Sequence, residues 1–143
     1  MARTISRKAL VAYSAEQMFN LVNDIESYPQ FLPNCTAAVV HSRSDTLVEA
    51  ELTLSKAGVH HRFATRNTLQ FPTQMTLQLL SGPFKQFDGC WGFKAMNGGC
   101  EVSFSLTFAF SNFLLNAAAG KWMEEVANLQ VDAVCKRAKV IYC

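Results

Sequence analysis

The sequence predicts an α+β fold: a seven-stranded curved antiparallel sheet around a long C-terminal helix, with one or two short helices after strand 1. Three observations lead there. From residue 35 to residue 110, apolar and polar residues alternate through successive stretches, as strands with one dry and one wet face do. Residues 14–25 read as a capped amphipathic helix that interrupts the strands early. From Asn112 to about Ile141 the pattern turns helical, and this is the only element long enough to cover the sheet's apolar face. A strongly curved sheet around one helix need not close completely, so a cavity between them is expected.

Residues 3–11 are the first strand, with poor alternation. Ser14 is a good N-cap and Gln17 completes a capping box, while Tyr13 and Met18 occupy staple positions. Met18, Leu21, Val22 and Ile25 make one apolar helical face. Past Ile25 the periodicity stops, yet Tyr28, Phe31 and Leu32 add large apolar side chains around Pro29 and Pro33. That is too much apolar surface for an ordinary loop. Two prolines stiffen it, as in a segment that covers something.

The strands follow in order. Cys35–His41 ends at a turn over residues 42–45. Thr46–Ser55 places Val48, Ala50, Leu52 and Leu54 on one face, with Glu49 and Glu51 on the wet one. Lys56-Ala57-Gly58 turns into Val59–Gln70, where Val59, His61, Phe63, Thr65, Asn67 and Leu69 share a face. Phe71-Pro72 breaks that strand. Gln74–Leu80 carries Met75, Leu77 and Leu79, and Phe84–Met96 carries Phe87, Trp91, Phe93 and Ala95. Gly82 reads as a turn and Gly89 as a strand bulge, with room for a ligand the lesser reason for Gly89. Asn97-Gly98-Gly99 is a hairpin turn, and Val102, Phe104, Leu106, Phe108 and Phe110 alternate through the last strand. In the terminal helix, with an expected interruption at Gly120, Trp122, Val126, Leu129 and Ala133 form the stripe, flanked by Met123, Val134, Ala138 and Ile141.

Half of the 143 residues are apolar and 17% are charged, which suits one compact domain over residues 1–143 and argues against disorder. The net charge of +2 is too small to imply nucleic acid by itself. Arg3, Arg7 and Lys8 lie near one end and Lys136, Arg137 and Lys139 near the other; a solvated surface is the preferred reading, and a basic face for ribosomal RNA or anionic lipid is the sharper one. Cys35, Cys90, Cys100, Cys135 and Cys143 are odd in number and scattered, so reduced thiols are expected. No apolar run follows the basic N-terminus as in a secretory signal, and none is long enough to span a membrane. A cytoplasmic protein with at most peripheral membrane contact is expected.

Catalytic and metal signatures are absent from the pattern. His60 and His61 are adjacent in a strand and point to opposite faces, and His41 has no ligand-spaced partner. Neither G-x-S-x-G, H-E-x-x-H nor a P-loop occurs. Arg62 and Arg66 share a face and read as solvated. His61, Thr65 and Asn67 are the one polar cluster with the parity to face a cavity, which is slender support for chemistry.

Three segments carry a family resemblance. Residues 19–35, FNLVNDIESYPQFLPNC, resemble the signature of the coenzyme-Q-binding branch of the START (Bet v 1-like, polyketide cyclase) superfamily. Residues 80–91, LSGPFKQFDGCW, resemble its second signature, and residues 135–142 are similar to the end of its terminal helix. The resemblance implies the helix-grip fold and a START-like lipid-binding domain. It also implies two non-enzymatic roles. The first is binding of ubiquinone or a related isoprenoid quinone, in support of respiratory electron transfer. The alternative is a bacterial ribosome association toxin that binds the large ribosomal subunit and blocks subunit joining. A small-molecule cyclase comes third. No cofactor is required in any of these beyond ubiquinone as the bound ligand. The implied ligand-binding set, as cavity lining or rim, is Tyr28, Pro29, Phe31, Leu32, Pro33, Phe63, Phe84, Phe87, Trp91, Phe104, Phe108, Trp122 and Val126. For the aromatics, ordinary core and cavity lining are equally open.

Overall fold

The computed structural model describes residues 2–142, so Cys143 lies outside the described residues. Strand β1 (Arg3–Val11) is followed by helix α1 (Ala15–Asn23) and a 3-10 turn (Ile25–Gln30). Then come β2 (Cys35–Arg43), β3 (Leu47–Lys56), β4 (Val59–Gln70), β5 (Gln74–Ser81), β6 (Phe84–Met96) and β7 (Gly99–Phe110). Two helices, α2 (Phe113–Asn128) and α3 (Gln130–Ile141), complete the chain. The strands form one seven-stranded sheet in the order β1-β7-β6-β5-β4-β3-β2, antiparallel throughout. The first strand therefore closes against the last.

Local signals act where the sequence puts them. The Ser14 hydroxyl accepts from the Gln17 amide at 3.0 Å, and the Gln17 side chain accepts from the Ser14 amide at 2.9 Å. Met18, Leu21, Val22 and Ile25 are buried, and so is Phe19, which packs edge-on against Phe71 and Phe93. The inward faces of β3, β4, β6 and β7 hold the anticipated residues, from Val48 to Phe110. Two of those residues, Val59 and Ala95, lie near strand ends and are exposed. On the outer face, Arg66 pairs with Glu49 at 2.8 Å and Arg62 approaches Glu51 at 4.0 Å. Those arginines are ion-paired across β3 and β4, though at surface strength.

The terminal helix departs from expectation in two respects. Its interruption falls at Leu129, not at Gly120, and its buried stripe is Gly120, Met123, Val126, Ala127, Val131, Val134 and Ala138. Trp122 and Ala133 are half-buried, and Leu129 and Ile141 are exposed. The physical reason is close approach. A Cβ on Gly120 would stand 2.7 Å from Nε of Arg3, so the Arg3 side chain of β1 lies over the helix where Gly120 leaves room for it. Arg3 in turn holds Glu124 at 3.1 Å.

Gly82 does lie in the turn between β5 and β6, at φ +143°, whereas Gly89 is no bulge. Gly89 pairs in regular register with Leu77 and Leu106, whose side chains lie 3.1 and 3.4 Å from where its Cβ would be. The irregularity of β6 falls instead between Phe84 and Gln86. At Gly82, an added Cβ would meet Cβ of Phe63 at 2.5 Å. Gly82→Ala therefore combines positive φ with overpacking, and urea denaturation is expected to show a loss of about 1–3 kcal/mol.

Candidate functional site

A cavity of about 80 Å³ lies between the sheet and the terminal helices. Its sheet wall comes from the inward residues of β3 to β7, including Ala50, Leu54, Phe63, Leu77, Trp91 and Leu106. Its helical wall is Met123, Val126, Ala127, Gln130 and Val134. Ile25, Tyr28 and Leu32 close the remaining side from the segment after α1. The lining is apolar apart from Thr65, Asn67, Gln130 and the Tyr28 hydroxyl, which donates to the Val22 carbonyl.

The anticipated site residues divide into two groups. Tyr28, Leu32, Phe63, Phe87, Trp91, Phe104 and Val126 line the cavity. Phe84 and Phe108 do not; with Phe110 they form a buried aromatic cluster behind the wall residues Phe63 and Phe87. Trp122 sits against His61 at 5.7 Å, and both lie outside the cavity lining, so His61 faces the helix without joining Thr65 and Asn67 at the cavity. The segment from Tyr28 to Pro33 is split as well. Tyr28 and Leu32 are buried walls, not an exposed rim, while Pro29 is exposed. Phe31 and Pro33 turn to an outer groove against α3, where the Arg137 guanidinium stands 5.2 Å over the Phe31 ring and donates to Gln30 at 2.9 Å. The 3-10 turn puts Ile25 and Tyr28, three apart, on one side, and the chain beyond it folds Leu32 back to them, its amide donating to the Tyr28 carbonyl at 2.9 Å. Leu52, Leu54, Leu77, Leu106 and Gln130 were missed as lining, although the strand parity of the leucines already placed them on the correct face.

The ionisable groups near the cavity are held neutral. Burial pushes the Tyr28 phenol up. Burial likewise raises the Cys35 thiol to about 11, against a weaker opposing backbone hydrogen bond at Ala37. Cys90, Cys100 and Cys135 are also shifted upward by burial, so these thiols are poor nucleophiles at neutral pH. Among the described residues no group of three or more His, Cys, Asp or Glu side chains could hold a metal ion, and no helix is long and apolar enough to cross a membrane.

An apolar pocket gripped between a curled antiparallel sheet and a C-terminal helix defines the helix-grip class. The chain belongs to the polyketide cyclase / dehydrase and lipid transport family, whose model matches residues 11–135. Among relatives, it is 41% identical over 143 residues to the ribosome association toxin RatA of Pseudomonas aeruginosa, covering 99% of each chain. It is 43% identical to the RatA of Escherichia coli K12, over 96% of this chain and 88% of that one. The mitochondrial coenzyme Q-binding protein COQ10 of Drosophila melanogaster is 26% identical, over 93% of this chain but 54% of its own length. The fold is shared with the Zhui aromatase/cyclase of a Streptomyces species, at a TM-score of 0.84 and 14% identity, covering 97% of this chain and 94% of that one. The 18 kDa protein CC1736 of Caulobacter crescentus superposes at a TM-score of 0.76 with 27% identity, covering 98% of each.

The Cys35 shift predicts an alkaline weakness. The unfolded thiol ionises near 9 and the folded one near 11, so the unfolded state binds fewer protons in that interval. Stability is expected to fall as pH rises from 9 to 11. Cys35→Ser should flatten that part of the profile in pH-dependent thermal denaturation.

Proposed function

We propose that this protein acts on the ribosome, binding the large subunit and opposing subunit joining as a ribosome association toxin. The observation that carries this reading is the 41% identity along 99% of both chains with a relative of that name. The coenzyme Q-binding relative shares less, at 26% identity and about half its length. The cavity's size supports the same preference: about 80 Å³ is well below the roughly 300–1,000 Å³ of small-molecule sites. Residues 1–143 would act as one non-enzymatic unit in the cytoplasm, where ribosomes are.

The surface supplies a candidate contact. Arg7 approaches Asp132 at 3.8 Å, which sets β1 beside α3. Lys136 and Lys139 are exposed on α3, and Lys8 is exposed on the face of β1 opposite to Arg7; all three lie outside the ion pairs of the described residues. Overexpression in a bacterial host is expected to lower the fraction of joined ribosomes in sucrose gradients and raise free subunits; an unchanged profile would sink the proposal. Lys136→Gln with Lys139→Gln should weaken co-sedimentation with large subunits and lower the salt slope of binding by about 1–2.

A second reading, carriage of a hydrophobic ligand, is favoured by the apolar cavity itself. Ubiquinone or a related isoprenoid quinone is its proposed cargo, with respiratory support as the corresponding role. Such a ligand needs the cavity to widen, and the helix break at Leu129, whose neighbour α3 starts without a side-chain cap, is where the wall can give. Organic extraction of the purified protein followed by mass spectrometry is expected to recover a quinone. No quinone in the extract and no thermal shift with added ubiquinone would eliminate the cargo.

A further inference from the structure

The buried polar side chains of the described residues are Thr65 and Asn67, 7% and 4% exposed. They stand two apart on the inward face of β4, near the middle of the sheet, and both line the cavity. Nothing in the sheet calls for polarity there. In register, Thr65 lies between Ala50 and Leu79, and Asn67 between Val48 and Leu77. Valine and leucine would satisfy the same strand positions without burying a polar group, which is costly when its hydrogen bonds are unmet.

The pair's own geometry shows what is left unmet. The Thr65 hydroxyl donates to Oδ1 of Asn67 at 2.9 Å. That bond orients the amide and leaves its Nδ2, with two N–H donors, facing outward from the pair. Among the described residues the buried side-chain atom sealed off without a partner is Oδ1 of Asn23, and the Asn67 amide instead borders the open space of the cavity. Of the other polar groups of the lining, the Tyr28 hydroxyl is committed to the Val22 carbonyl, and Nε2 of Gln130 on the helical wall spends one of its two N–H groups on the Val126 carbonyl at 3.1 Å. No lysine, arginine or histidine lines the cavity, so a carboxylate or phosphate would enter without a counter-charge.

We infer that Asn67, oriented by Thr65, is the recognition point for a neutral apolar ligand bearing a hydrogen-bond-accepting oxygen, of the ketone or quinone carbonyl class. This rests on the reading of the cavity as a ligand site and adds to it the chemistry of the head group. An oriented amide on the sheet wall of an apolar chamber gives orientation with little loss of hydrophobic contact, which is how such pockets combine affinity with selectivity.

The test uses matched probes on the purified protein: 2-nonanone, nonane and nonanoate at neutral pH, read by tryptophan emission and thermal shift. Wild type is expected to bind the ketone about tenfold more tightly than the alkane, and the carboxylate most weakly. Asn67→Leu should erase the ketone preference while retaining alkane binding. Thr65→Val, which keeps shape and removes the orienting hydroxyl, should reduce the preference about threefold and serves if Asn67→Leu does not fold. Equal binding of ketone and alkane by wild type overturns the inference and leaves the cavity reading standing, as does an unchanged preference in either folded variant. Failure of all three probes to bind overturns both, without touching the ribosomal proposal.

Discussion

Seven strands spaced about 4.8 Å apart present an apolar face roughly 30 Å wide, whereas a helix with its side chains is about 10–12 Å across. The mismatch governs the molecule. One helix cannot cover that face, so the sheet curls and two partial covers share it. Helices α2 and α3 lie over the side formed by β1 and β7, and the 3-10 turn lies against β2 at the opposite edge. The cavity is the seam between these covers. Its walls are accordingly drawn from both, with Val126 and Val134 on one side and Tyr28 and Leu32 on the other.

Much of this was legible in the residues because strand parity is strict. A residue on β7 or β4 faces in or out by its number alone, so Phe104 and Phe63 could be placed inward before any coordinates. Depth within the concave side has no such rule. Phe84 and Phe108 share the inward face with Trp91 yet pack into the aromatic cluster, because ring–ring contacts with Phe110 fill their space. The helix stripe was misassigned for a related reason. Trp122 and Leu129 look like core by size, but the buried face carries Gly120 and Ala127, and the space over Gly120 is filled by the Arg3 side chain. Bulk is a poor guide where the tightest contact needs the least side chain.

Functionally, the two roles attached to this fold make different demands on the same surfaces. A carrier must open its seam, whereas a ribosome-binding protein needs an exposed, charged exterior and can keep its interior shut. The small cavity and the lysines beside β1 fit the second demand better. The polar pair on β4 is the feature that the exterior role does not explain.

Closure of the sheet also sets an order of events during synthesis. β1 is made first but pairs only with β7, so residues 3–11 wait for residues 99–110 before their backbone groups find partners. Arg3 waits longer, for Glu124, and the carbonyl of Gln17 accepts from the hydroxyl of Tyr142 at 2.8 Å. Contacts so distant along the chain form late. The junction where β1 meets α3, marked by Arg7 and Asp132, is likewise assembled only after the strands between them are in place.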